Sequence, residues 1–228
     1  MMELLMSLML LSLLILFLMN KDLLFVLFFL VSFLYSDFFD DYQKSTSKLS
    51  WEDSIPCNMP IIKKPLWREN GLFRKYDMAP KSRLDELKLR KTMMQWHQKL
   101  ALLNLGLMAY QVGIGKKIDE EPNEYYDKYQ QLHKNLGYTS FTIYMTSAGL
   151  SIFSPPALKY DKGLSSMKLH RYLSLIHFTG MAIQPWLGYK SVENNYENYD
   201  YYIDMHRDVG QVVFASYLFA FLLTLLPS

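Results

Sequence analysis

Hydrophobic and polar positions fall into long blocks along this chain, with no short strand-like alternation. Four apolar stretches of about 20 residues follow one another in the second half: Trp96–Gly115, Leu132–Phe153, Leu169–Gly188 and Met205–Leu226. At 1.5 Å rise per residue, each is long enough to cross the hydrocarbon of a bilayer. The second is rich in Ser, Thr and Gly, residues common where membrane helices pack closely or face a cofactor. Pro155-Pro156 stops it, and Pro185 lies near the end of the third. Connections of about 14–17 polar residues favour up-down neighbours, the usual bundle solution. The pattern predicts an all-α fold, an integral-membrane four-helix up-down bundle occupying residues 93–228.

Two further apolar runs, 1–18 and Leu23 to Tyr35, flank the polar interruption Met19-Asn20-Lys21-Asp22. Two readings fit residues 1–36. They form a membrane anchor and fifth span, or Met19 starts a signal peptide with Lys21 as its basic region. Either sends the chain to a membrane. Residues 37–92 are polar, carry Pro56, Pro60, Pro65 and Pro80, and read as an irregular segment. Within it Ser82 offers a helix cap ahead of Leu84, Leu87 and Leu89.

Composition narrows the function. A net charge of +2, with acidic and basic residues interspersed, excludes a nucleic-acid partner. A single cysteine, Cys57, excludes an internal disulfide framework, Cys-rich zinc sites and Cys-ligated iron–sulfur clusters, and no CxxCH is present for covalent haem. Mean hydropathy is −0.02, an average over polar and apolar blocks.

Four of the five histidines occupy the second position of the four apolar stretches: His97, His133, His170 and His206, separated by 36, 37 and 36 residues. Their contexts repeat. An apolar residue precedes each, a branched aliphatic follows at the third position, and a small residue (Ala101, Gly137, Ser174, Gly210) follows at the fourth. A basic residue stands one or two positions on: Lys99, Lys134, Arg171, Arg207. This is a four-fold internal repeat with a period near 36. In an up-down bundle His97 and His170 share one end, and His133 and His206 the other. Each pair faces across the apolar interior, where imidazoles can ligate a metal, and axial ligation of a flat macrocycle is the use such pairs suggest. The small residue one turn deeper would give a porphyrin room, and the basic residue would meet its propionates. Repetition without any cofactor, as in a structural or assembly protein, is the alternative.

With these features the chain resembles the cytochrome b-561 family over about residues 93–226, on the elements LHK, LHR and MHR and the mid-thirties spacing. The resemblance implies two non-covalent haem b groups, one held by His97 and His170 and the other by His133 and His206. It implies transmembrane electron transport, with membrane lipid around the chain. No residues match the family's ascorbate-binding positions, so no donor or acceptor carries over. A ferric reductase, a quinol-linked oxidoreductase, a haem carrier, a homodimer and a subunit of a larger complex all stay open.

His177, seven residues after His170, reads as a core histidine bonded to a neighbouring hydroxyl or carbonyl, ahead of a role as a bridging group or ligand. Asp119-Glu120-Glu121 reads as a solvated loop, and the tyrosines at 125, 126, 129, 199, 201 and 202 as interfacial aromatics. Gly113-Ile114-Gly115 ends an apolar helix and is no phosphate loop. Lys81, Arg83, Lys88, Arg90 and Lys91, with Lys159, Lys162, Lys168 and Arg171, favour a cytoplasmic side for His97 and His170, whereas a cleaved signal peptide would invert this.

Overall fold

The computed structural model describes residues 55–120, 123–160, 163–193 and 198–226. The two N-terminal apolar runs, and the choice between anchor and signal peptide, lie outside the described residues.

The described chain is all-helical. A 3-10 turn, Ile61–Lys63, leads into two short helices, α1 (Lys64–Trp67) and α2 (Leu72–Lys75). Four long helices follow: α3 (Arg83–Glu120), α4 (Asn123–Phe153), α5 (Ser166–Glu193) and α6 (Tyr199–Thr224). The Ser82 Oγ accepts the Asp85 amide at 3.1 Å, so the serine caps α3 as its position in the sequence implies. Pro155-Pro156 ends α4 at Phe153, whereas α5 runs on through Pro185 to Glu193.

The helices outrun their apolar stretches. α3 has 38 residues and begins well before Trp96, so it crosses from the polar segment into the bundle without a break at 92/93. The polar turns at 116–120 and 123–131 are helical too, and Asp119-Glu120 closes α3 instead of opening a loop. Lys, Glu, Gln and Ile are adequate helix formers, and a helix already nucleated by its packed face extends through them. The connections are accordingly shorter than hydropathy suggests.

α3 pairs with α4 and α5 with α6 as two antiparallel hairpins, and the ring closes through lighter α4–α5 and α3–α6 contacts. The bundle interior mixes polar and apolar groups: Asn104 and Ser140 are fully buried and Ser147 and His177 nearly so, beside Leu105, Leu187, Val213 and Ala220, while Leu103, Leu175, Ile183, Trp186 and Val212 face outward. Among the described residues no helix is long and apolar enough to cross a membrane.

The segment before α3 is pinned to the end of the first hairpin. The Lys63 ammonium donates to the carbonyls of Ser151 and Ser154 and to the Ser154 hydroxyl, at the α4 C-terminus where carbonyls lack helical partners. The Trp67 indole donates to the Phe153 carbonyl at 3.2 Å. Glu86, wholly buried, accepts from Arg74 at 2.5 Å and Arg83 at 2.6 Å, and Arg83 also reaches the carbonyls of Pro156 and Ala157. Burial, and the Arg90 guanidinium nearby, bring the Lys63 pKa down to about 7.

Candidate functional site

Two of the four histidines come into ring contact across diagonal helices. His133 on α4 and His206 on α6 have ring centroids 6.0 Å apart at an interplanar angle of 74°. His97 on α3 and His170 on α5 interact electrostatically with each other and with His177. Alternation of the helices leads one to expect the His133–His206 approach.

The tautomers follow a rule. His97 Nδ1 meets the Ser147 carbonyl at 2.9 Å, His170 Nδ1 the Ala220 carbonyl at 2.8 Å, and His133 Nδ1 the Gln111 carbonyl at 3.1 Å. A carbonyl only accepts, so each Nδ1 carries the hydrogen and each Nε2 keeps its lone pair free. Donation of the second ring N–H to an outer acceptor is the usual way a ligating imidazole is oriented and made more basic. The acceptors come from the hairpin partner of each histidine's own helix.

These contacts expose a repeat that is two-fold in structure. A shift of 73 residues carries His97 to His170 and His133 to His206, and also Gln111 to Gln184, Gly115 to Gly188, Gly137 to Gly210 and Tyr144 to Tyr217. The acceptors at Ser147 and Ala220 obey the same shift. The unit is therefore the hairpin, and the near-36 period is its half. Gln111, Gln184, Gly115 and Gly188 are residues beside the histidines that histidine spacing alone does not reveal, although aligning the chain with itself at 73 would have found them.

The glycines have specific work. A Cβ on Gly115 would stand 3.3 Å from the His133 ring, and one on Gly188 3.1 Å from the His206 ring, so each imidazole lies against bare backbone. Gly137 and Gly210, expected to make room for a porphyrin, accommodate the Gln111 and Gln184 side chains, whose amide nitrogens would lie 2.9 and 2.7 Å from an added Cβ. Ala101 offers its carbonyl to the Tyr217 hydroxyl at 3.0 Å, and the Ser174 hydroxyl bonds the Arg171 carbonyl at 2.7 Å. The basic residues lie at the periphery. Lys99 stacks over Trp96 at 5.3 Å, Arg171 over Tyr160 at 5.6 Å, Lys134 is exposed, and Arg207 pairs with Asp204 at 3.8 Å.

His177 hydrogen-bonds the Tyr144 hydroxyl at 2.6 Å, the neighbouring-hydroxyl role its position suggests. It also packs edge-on against Tyr217 at 4.9 Å. Asn104, its equivalent in the first hairpin, accepts from Ser140 at 2.9 Å. On α3, Asn104 is seven residues from His97 and seven from Gln111, which holds His133. On α5, His177 is likewise midway between His170 and Gln184. This polar and aromatic layer thus separates two histidine levels about 21 Å apart along the axis.

Paired imidazoles are metal donors. Among the described residues no cluster of three or more His, Cys, Asp or Glu side chains is placed to hold a metal ion. Two imidazoles serve a metal whose other ligands come from elsewhere, as in a haem. With a metal–imidazole bond of about 2 Å and the ring centre about 1 Å behind the nitrogen, axial ligands stand about 6 Å apart. The His133–His206 separation fits that figure.

No family model, no curated protein and no solved structure matches this chain.

Proposed function

We propose that this chain is a membrane-embedded b-type cytochrome that moves electrons between the two faces of a membrane, with His97 and His170 holding one non-covalent haem b and His133 and His206 the other. The observation that carries the reading is the approach of His133 and His206, whose ring centroids are 6.0 Å apart. Haem, when bound, supplies one-electron chemistry at its iron. The chain does the rest. The carbonyls of Ser147, Gln111 and Ala220 fix the tautomer and direction of three histidines. Gly115 and Gly188 let rings lie against backbone. Tyr144, His177, Asn104 and Tyr217 fill the layer between the two levels and keep it free of solvent.

The membrane setting is supported by the large apolar side chains that the bundle turns outward, Leu103, Leu175, Ile183, Trp186 and Val212 among them. Water-soluble monomers rarely expose contiguous large apolar surface, and polar residues in spans face the bundle interior. Exposed Thr139, Thr142, Thr146 and Thr179 each donate to the carbonyl four residues back on their own helix, so no outward hydroxyl among them needs water. The test is haem content: detergent-purified protein, expressed with haem supplied, should carry two extractable haems b per chain and show a reduced-minus-oxidised b-type spectrum. Absence of haem would leave a structural membrane protein in its place.

A further inference from the structure

The strap ahead of α3, residues 55–82, is fastened to the bundle yet leaves large apolar side chains uncovered. Lys63, Trp67 and Arg83 bond it to the end of α4 and to the residues just beyond. Ile61 is nevertheless 83% exposed and Met78 65%, and Ile62, Leu72 and Tyr76 are exposed too. The exposure therefore belongs to the fastened strap. Its attachment point also sets its depth. Ser147 meets His97, and Ser154, which takes the Lys63 ammonium, is seven residues further along α4, hence about 10 Å outside the histidine level. With the two histidine levels centred in a bilayer, the attachment stands about 21 Å from the midplane, and the headgroup layer extends from about 15 to about 22 Å.

Charge selects the headgroup. Lys and Arg outnumber Asp and Glu in the strap and in the α4–α5 connection, 157–168, which lies at the same end. The reverse holds in the turns at the far end, 116–131 and 189–204. Arg68, Lys75 and Lys81 are exposed on the strap itself. Exposed apolar side chains with cations beside them, held at headgroup depth, suit a negatively charged lipid surface. We propose that the strap is a docking surface for anionic lipid: Ile61, Ile62, Leu72 and Met78 enter the boundary between headgroups and acyl chains, and Arg68, Lys75 and Lys81 bind the headgroup anions. The inference rests on the membrane-embedded reading and gives the polar segment a role of its own.

The experiment places the full chain in nanodiscs of mixed phosphatidylcholine and phosphatidylserine, with a fluorophore on Ile61→Cys in a Cys57→Ser background. A nitroxide quencher is carried at the same shallow acyl position of one lipid or the other. Both should quench, the phosphatidylserine form about fivefold more effectively, the preference that one basic side chain gives near an anionic surface. Arg68→Gln, Lys75→Gln and Lys81→Gln together should make the two equal, with haem content unchanged. Met78→Cys serves as a second label position. Equal quenching by the two lipids before those substitutions, or a preference that survives them, would overturn the inference. Quenching by neither lipid would overturn it as well and give the apolar side chains to a protein partner. In each of these cases a haem-loaded chain that inserts into the nanodisc leaves the membrane reading standing, whereas a chain that does not insert overturns both.

Discussion

Glu86 gives the sharpest test of how the polar segment is fastened to the bundle. Its side chain is fully buried, and both carboxylate oxygens are engaged by guanidinium groups, Arg74 at 2.5 Å and Arg83 at 2.6 Å. Arg83 is itself 3% exposed and Arg74 17%. Replacing Glu86 by Ala leaves the Arg83 charge buried, with the Pro156 and Ala157 carbonyls as its remaining acceptors. Removing one partner of a buried pair costs about 3–5 kcal/mol, because the other charge stays uncompensated. For a chain of this size each kcal/mol is worth about 2–4 °C in Tm, so Glu86→Ala should lower Tm by about 10 °C. Glu86→Gln keeps the shape but turns an amide N–H toward a guanidinium, and should be nearly as damaging. The control is Lys88→Ala, which removes a pair with Asp85 more than half exposed on both sides and is expected to leave Tm unchanged. Far-UV circular dichroism in detergent reads the transition, and limited proteolysis between residues 55 and 82 reads detachment of the segment. If Glu86→Ala loses no more stability than Lys88→Ala, the buried charge network does not hold the segment and this account of it fails.

Three further outcomes follow from the same reasoning. The Lys63 pKa, lowered to about 7 from an unfolded value of 10.5, means that the unfolded chain binds the extra proton between those limits; stability should therefore rise as pH increases from about 7 toward 10.5, and denaturation at several pH values should show that slope in wild type and not in Lys63→Met. Tyr144→Phe removes the buried 2.6 Å bond to His177 and should cost about 1–3 kcal/mol in unfolding free energy while leaving haem content at the wild-type level; loss of haem would make Tyr144 part of the binding site itself. Gly180→Ala would put a Cβ 2.3 Å from Val213 Cγ2 and should destabilise by about 1–3 kcal/mol through overpacking of the α5–α6 seam, an effect that Val213→Ala reverses, whereas Gly113→Ala enters open space and should be neutral or stabilising.

The sequence was legible where one residue type carried one role. Four histidines at matching positions of four apolar blocks determine which helices must face one another, since alternation places His97 with His170 and His133 with His206. Ser82 and Pro155-Pro156 act locally, and the helix ends they imply are the ones observed. Hydropathy was a poorer guide to helix length, because the turns around Lys116–Glu120 and Asn123–Gln131 are polar yet good helix formers supported by the packed turns beside them. The outer partners of the histidines were harder still. Gln111 and Ala220 contribute main-chain carbonyls, which any residue possesses, so nothing in their side chains announces the role, and only Ser147 adds a side-chain hydroxyl, 3.0 Å from His97 Nδ1. Gly137 and Gly210 were legible as necessary small residues, but the groups nearest to them are glutamine side chains from neighbouring helices.

The pairing of the histidines is best tested by haem spectra of four single variants, His97→Ala, His133→Ala, His170→Ala and His206→Ala, each purified in detergent and titrated with haem. The account predicts two classes: His97→Ala and His170→Ala lose the same spectral species and keep the other, while His133→Ala and His206→Ala do the reverse. Four variants with unchanged haem content, or losses that link His97 with His133, would contradict it.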